Sequence, residues 1–523
     1  MGDSLPVRHK SWQWKRYSLL AAFFGLLGLL WRWWLSGAGT PPTNSDEATM
    51  GLAALHIGAG RGLPVYFYGQ HYMGTIEAYL AAPLVLLLGP TVTALRIVTL
   101  ALYAAYLVLA FVFVRRVYSP GLAVLTVALL AFGADRTVKN QLIAGGGYPE
   151  TPAMVLGLLL ITWLLATRRW ERPVAYAGWG LLFGLIAWNH WLPAPFLLGA
   201  LVLLIAAKVF TARRALSAAA GFVVGLAPLL VDNLTAPLAQ NSVSVFLGLN
   251  GAGSDASLWE RLVGGVWLSV PLGMGLCAPG RCEAWSLWWS PVFLALVVVA
   301  LVMAVSALRR RAAARRAAGA GPVSAEDRDD WARDAMSLVL LGAGLLSLLS
   351  YVRSPAAADT PIESARYLAV LLLVLPAALW PLWRRVRLGG ARGALAAVPV
   401  AALALTMLAA SASLLEVTGD YGRMRDDNAA LLAGLRDRGY SYVHAGYWTC
   451  NWISYLSDEK VLCGVVGDDL NQGLNRYPSY WHERPQAWVA EAGSALDVKL
   501  AQQAGPPVFE TGGYRVYPAP AQP

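Results

Sequence analysis

Asp46 and Glu47 stand side by side in a stretch unlike the rest of the chain. Residues 37–90 are dense in Gly, Tyr and His and carry few charges. An ionised carboxylate just outside a membrane can act as a general base towards a hydroxyl group, a role worth about 10²–10⁴ in rate. Tyr66, Tyr68, Gln70, His71 and Tyr72 follow, and their flat faces suit a sugar ring. Two plainer readings compete. Ser45 or Asp46 could cap a helix over residues 48–57, with Glu47 favoured by its dipole. The tyrosines could belong to the aromatic belt of a membrane interface.

Three other stretches hold residues capable of chemistry. Residues 140–151 read N-Q-L-I-A-G-G-G-Y-P-E-T, where the glycines let backbone approach a ligand and Glu150 stands at a helix start. No Lys follows in the P-loop pattern, so a phosphate cradle is only weakly suggested there. Trp188-Asn189-His190-Trp191 places a His between interfacial Trp residues, where it could bind a sugar or a phosphate or serve as a satisfied loop residue. Glu363-Ser364-Ala365-Arg366-Tyr367-Leu368 puts Arg366 at the end of an apolar run. A cation is costly there unless it pairs with a phosphate or carboxylate, snorkels to the interface, or pairs with Glu363.

The elements that must position these residues are membrane helices. Of 523 residues 57% are hydrophobic and only 14% charged, and several apolar runs approach the ~20 residues that span a bilayer. The runs 17–36, 91–114, 121–134, 151–167, 174–188, 192–210, 216–231, 291–308, 335–351, 367–383 and 394–415 predict about eleven spans. Residues 17–36 read as an uncleaved anchor, because Arg32 and three Trp crowd any cleavage point. Residues 75–88 are short and contain Glu77 and Pro83, so they are expected to lie in the outer interface. Lys and Arg gather in the short loops after 114, 167, 210, 308 and 383, and in 1–16. The longer loops on the other side hold few. Positive-inside then puts the N-terminus in the cytoplasm and Asp46 outside. The net charge of +10 fits this topology, not nucleic-acid binding.

The expected fold class is mostly α. It comprises a polytopic bundle over 1–415, with its first external loop at 37–90, and a soluble extracytoplasmic α/β domain over 416–523. In that domain 426–438 has helical spacing, 440–444 and 460–466 read as strands, and 508–517 holds a hairpin signal at Gly512-Gly513. Residues 312–331 read as a solvated helix or a disordered linker. Cys277 and Cys282 lie close together on the oxidising side, so a local disulfide is expected. Cys450 and Cys463 are candidates for a second, with free thiols as the alternative. Walker A, kinase and Rossmann patterns are absent.

In combination these features resemble the GT-C-fold polytopic glycosyltransferases, the class of the protein O-mannosyltransferases and the lipid A aminoarabinose transferase. The likeness rests on Asp46-Glu47 opening a long external loop, an interfacial helix before the second span, and Arg366-Tyr367-Leu368 at a late span. Gly69-Gln70-His71-Tyr72-Met73-Gly74-Thr75-Ile76-Glu77-Ala78-Tyr79 is similar to a motif of a bacterial subgroup. Gly146-Gly147-Tyr148-Pro149-Glu150, Tyr447-Trp448 and Arg476-Tyr477-Pro478 extend the likeness over most of the chain.

The resemblance implies a polyprenyl-phosphate-linked sugar donor, an acceptor hydroxyl outside the cytoplasmic membrane, and inversion at the anomeric carbon. Asp46 would take the acceptor proton, Glu47 would hold Asp46 or the acceptor, and Arg366 would offset charge on the leaving phosphate. Tyr68, Gln70, His71, Tyr72, Glu77, Tyr148, Glu150, His190 and Tyr367 are the expected substrate contacts. The tail is expected to contribute no catalytic residue. Some members of the class use a divalent metal; no convincing ligand set stands here, so none is expected. The bilayer is the other partner, and the acceptor (protein, lipid or polysaccharide) stays open. A transporter or flippase of lipid-linked sugars, a non-catalytic envelope scaffold, and a polymerase using a lipid diphosphate donor are the alternatives.

Overall fold

In the computed structural model, residues 7–250, 255–318 and 324–519 are described. The long helix α1 (Val7–Gly37) leads into α2 (Ser45–Gly58), the short α3 (Ile76–Leu88) and α4 (Val92–Val117). Next come α5 (Pro120–Ala131), α6 (Asp135–Leu142), α7 (Thr151–Ala166), α8 (Pro173–Asn189), α9 (Ala194–Ala206) and α10 (Ala212–Thr235). The short α11 (Ser242–Asn250), α12 (Leu258–Leu262) and α13 (Ser269–Gly273) precede the long α14 (Trp289–Ala318) and α15 (Ala325–Arg353). Two single turns, α16 (Ala356–Asp359) and α17 (Pro361–Ser364), run into a 3-10 turn over Ala365–Val370. Then follow α18 (Leu371–Leu388), α19 (Gly390–Ala412) and α20 (Leu414–Asp437).

Every expected span falls on a helix, but among the described residues only seven helices, or eight counting one bent pair, are long and apolar enough to cross a membrane. This is a multi-pass membrane protein, with a count of eleven spans not reached. The shortfall lies in α7, α8 and α9, which are apolar but only 16, 17 and 13 residues long. The expected 121–134 span is interrupted. It stops at Ala131 and turns 93° into α6. Arg32 explains how that break is tolerated. Its Nη1 donates to the Ala131 carbonyl at 2.8 Å, its Nε donates to Gln141 Oε1 at 2.7 Å, and its guanidinium lies 4.1 Å from the Tyr103 ring centroid. A buried cation thus occupies a carbonyl that the ended helix no longer satisfies.

α8 and α10 pack backbone to backbone. Gly180 and Gly184 face Ala218 and Phe222, and Gly221 and Gly225 face Ala177 and Leu181. A methyl on any of these four glycines would overlap main-chain oxygen. This small-residue pairing is a common way for helices to associate in lipid.

The chain ends in a small α/β unit with sheet order β2-β1-β3-β5-β4. β1 (Tyr442–Ala445) is parallel to both β2 (Leu462–Val465) and β3 (Ala487–Glu491). β4 (Phe509–Thr511) and β5 (Tyr514–Pro518) form the expected hairpin, with Gly512 at φ +53° in the turn. β3, α21 (Tyr447–Leu456) and α22 (Ala495–Gln503) were not among the expected elements. Both disulfides, Cys277–Cys282 and Cys450–Cys463, are formed. The 312–331 stretch is helical on both sides of residues 319–323, which lie outside the described residues.

The α/β unit is not an appendage. Met50, Leu52 and Ala53 of α2, Phe67, and Leu95 of α4 share one apolar core with Val443, Trp452, Ile453 and Tyr455. Tyr455 Oη donates to the Thr91 carbonyl at 3.0 Å.

Candidate active site

Asn44, not Ser45 or Asp46, caps α2: its side chain accepts from the Glu47 N–H at 2.9 Å. The cap thereby frees the next residues for other work. Ser45 Oγ donates to the Tyr447 carbonyl. Asp46 is half-buried, and its Oδ1 accepts from Tyr447 Oη at 2.7 Å. Arg476 Nε donates to that same Tyr447 oxygen at 3.1 Å. With the Gln70 carboxamide turned so that its oxygen faces Arg476, that oxygen accepts from the two terminal nitrogens at 3.0 and 2.8 Å. The carboxylate therefore sits where α2, the 66–74 loop and the α/β unit meet.

Glu47 does not hold Asp46. It is fully buried and receives Arg96 through Nε at 3.0 Å and Nη2 at 3.1 Å. Arg96 Nη2 also donates to the Pro41 carbonyl at 2.8 Å. Spending both carboxylate oxygens on one guanidinium ties α2 to α4 and leaves nothing for substrate.

The glycine run serves a carboxylate of the chain itself. Glu77 accepts from the N–H groups of Gly146 and Gly147 at 3.1 and 3.2 Å. Both glycines have positive φ and press against Met73 and His190, so a side chain at either would be strained and obstructed. Glu150 Oε1 accepts from Asn189 at 2.7 Å. The two carboxyls are buried against each other. Burial first, and the Glu150 charge second, push Glu77 well above the usual carboxylate range. One shared proton lets one acid donate to the other. Glu77 and Glu150, expected to touch substrate, instead lock the loop before α7 to α3 and α8.

Beyond this pair lies a wall of cations and aromatics. Arg366 stands 5.8 Å from the Tyr148 ring centroid and 5.4 Å from that of Tyr367. Its Nε is buried without a hydrogen-bond partner. Arg136 donates to the Ile362 carbonyl at 3.0 Å, and its Nε too has no partner. Lys139 lies one helical turn on from Arg136 in α6, and α6 packs on the 3-10 turn that carries Arg366. None of the three cations forms an ion pair with a described carboxylate. Lys139 and Arg366 nonetheless feel the charge of Asp46, and Arg136 that of Arg366. Tyr72 feels Arg476, Arg366 and Asp46 together, and burial pushes its hydroxyl up. A half-buried carboxylate thus stands near a group of three cations, two of which, Arg136 and Arg366, keep an Nε without a partner.

His190 faces Tyr148 at 5.2 Å between ring centroids, and its Nδ1 accepts from the Leu192 N–H at 3.0 Å. Burial, then the Arg366 charge, lowers it to about 4. It is a neutral imidazole at pH 7, with the proton on Nε2, and not a cation for phosphate. Tyr68 turns away from Asp46: its hydroxyl bonds His56 Nδ1 at 2.7 Å. His71 packs edge-on to Tyr66, and its Nδ1 is buried without a partner.

The structure therefore gathers Asp46, Tyr72, Tyr148, His190, Arg366 and Tyr367, with Gln70 at the edge. It pairs Glu47, Tyr68, Glu77 and Glu150 with groups of the chain itself. Sequence reasoning missed Arg136, Lys139, Tyr447 and Arg476. The last two lie in motifs that carried the resemblance, and that was the available signal. Among the described residues no group of three or more His, Cys, Asp or Glu is placed to hold a metal ion.

No protein-family model matches the chain, and no curated protein matches it. Solved structures do. The aminoarabinose transferase ArnT of Cupriavidus metallidurans, solved bound to undecaprenyl phosphate, superposes with a TM-score of 0.59 at 11% identity, covering 96% of this chain and 97% of that one. The Archaeoglobus fulgidus oligosaccharyltransferase, tethered to an acceptor peptide containing the NVT sequon, superposes with a TM-score of 0.51 at 11% identity. That match covers 91% of this chain and 69% of the other. The chain has the GT-C fold of the polytopic membrane glycosyltransferases.

Proposed function

We propose that the protein transfers a sugar from a polyprenyl-phosphate donor to an acceptor hydroxyl, on the side of the membrane where the α/β unit sits and with inversion at the anomeric carbon. The observation that carries this reading is the meeting, at one end of the bundle, of Asp46 with Lys139 and Arg366, with Arg136 beside them and none of the three ion-paired to a described carboxylate. A lipid phosphate reaches such a cleft sideways from the bilayer. The three cations offset charge as it grows on the leaving phosphate. Asp46 accepts the proton of the incoming hydroxyl, and Tyr447 fixes the carboxylate's direction. Tyr72, Tyr148 and Tyr367 supply the flat faces for the sugar. The fold match to a structure holding undecaprenyl phosphate supports the donor half of the reading. We place the protein in the cytoplasmic membrane, N-terminus inside and α/β unit outside, from its loop charges. No step of the reading uses a metal. The bundle over 1–415 and the unit over 416–523 act as one catalytic body.

Membranes containing the wild-type chain, supplied with polyprenyl-phosphate sugars labelled in the sugar, should move label from the lipid fraction to a second product. Asp46→Asn membranes should not. Equal transfer by both would refute the assignment of Asp46. Label that crosses the membrane while remaining on its lipid would favour a flippase.

A further inference from the structure

α7 and α9 both begin beside the candidate site, near Glu150 and His190, and run away from it. With 16 and 13 residues they end about 24 and 20 Å deeper, short of the ~30 Å hydrocarbon core. The neighbouring α14 and α15, with 30 and 29 residues, are about 45 Å long and rise past those ends. A recess of about 970 Å³, including its open mouth, lies between them. It is lined by Arg168, Lys208, Arg315 and Arg328, with Trp331 and small alanines.

The two short helices stop in the same way. Arg168 and Lys208 follow their last turns with φ +57° and +51°, and Arg169 and Val209 bond back to the Leu164 and Leu204 carbonyls. Glycine is the low-cost residue at that left-handed position. Here both hold long cations that line one recess. Of the lining cations Arg168 is paired, with Glu171 at 3.6 Å, which also meets Arg214; the nearby Asp329 is held by Arg169. Lys208 and Arg315 form no ion pair with a described residue.

We propose that this recess, remote from the candidate active site, binds the phosphate head group of an anionic membrane lipid. Its depth argues for a lipid over a soluble anion. Because α7 and α9 are shorter than the hydrocarbon core, their cationic ends are set back towards the bilayer, which delivers a lipid phosphate there and does not deliver a soluble one. Trp331 offers an amphipathic ring to the same interface. The proposal does not depend on the reading of Asp46.

The test uses the full chain in nanodiscs of phosphatidylcholine titrated with phosphatidylglycerol, with retained lipid counted by native mass spectrometry. Lys208→Gln/Arg315→Gln should bind phosphatidylglycerol roughly 25-fold more weakly than wild type, at about fivefold per cation. Unfolding in pure phosphatidylcholine should be unchanged, which separates lost binding from lost folding. Arg116→Gln/Arg213→Gln, which removes two exposed cations from the same end outside the recess, should bind as wild type does. Equal weakening by both pairs would overturn the proposal in favour of general attraction to a basic surface. Full competition by inorganic phosphate would overturn the lipid as the source.

Discussion

Asp46 carries one strong hydrogen bond from the chain, and that bond comes from the α/β unit. Tyr447→Phe should therefore lower turnover by roughly tenfold while leaving donor retention unchanged, because hydrogen bonds to charged groups contribute about 1.5–3 kcal/mol. Measuring turnover and copurified lipid on the same preparation checks both halves. Arg366→Gln should do the reverse, with bound polyprenyl lipid falling together with turnover. The buried acid pair gives a different signature. Glu77→Gln keeps an acceptor for only one of the Gly146 and Gly147 N–H groups, because each meets a different carboxyl oxygen, so the unfolding temperature should fall modestly. Glu77→Ala leaves both N–H groups unpaired and removes the acid partner of Glu150, and should cost more, about 1–3 kcal/mol, read as a lower unfolding temperature. Asp46, Arg366 and their aromatic neighbours were legible in the sequence, because an acid and a cation beside apolar runs need a reason. For Glu47, Glu77 and Glu150 the sequence showed none of the protein partners that the structure gives them. A carboxylate bound to buried Arg96, or to two backbone amides, looks in sequence like one awaiting substrate.

Helices were the most legible elements, since apolar runs bounded by basic loops leave few other choices. The break between α5 and α6 was not legible, because the group that stabilises it, Arg32, is 99 residues distant from Ala131. β3 was missed for a related reason: its burial pattern is continuous, so no alternation marks it. Two contacts between elements depend on glycine. At Gly51 an added side chain would run into the Tyr455 ring, which joins α2 to α21. Gly51→Val should cost about 1–3 kcal/mol of stability and loosen the α/β unit, read as faster proteolysis within residues 437–519. Gly184→Leu should separate α8 from α10 and lower the yield of folded protein in detergent.

At the scale of the whole molecule, the bundle and the α/β unit are joined through His56. Its Nε2 meets Glu459 at 3.1 Å and Tyr480 Oη at 3.2 Å, and Glu459 also pairs with Arg61. Burial lowers His56, and it lowers His190 to about 4, so the folded protein keeps both neutral. The unfolded chain protonates them through about pH 6.5. Stability from this source is complete above that value and is lost as pH falls towards the folded values. Glu459, held down to about 2 chiefly by hydrogen bonds from Arg61 and Tyr480 against the pull of burial, adds a loss only below about pH 4.3. Unfolding temperature should thus decline from about pH 6.5 downward, and His56→Gln should flatten the upper part of that decline. The central claim is that Asp46 turns over a polyprenyl-phosphate sugar bound at the adjacent cations. Mass spectrometry of lipids copurifying with Asp46→Asn, against wild type in mild detergent, tests it most directly. The account predicts a polyprenyl-phosphate sugar enriched in the variant, since the base is gone and the donor is held. A variant and a wild type both free of polyprenyl lipid would contradict it.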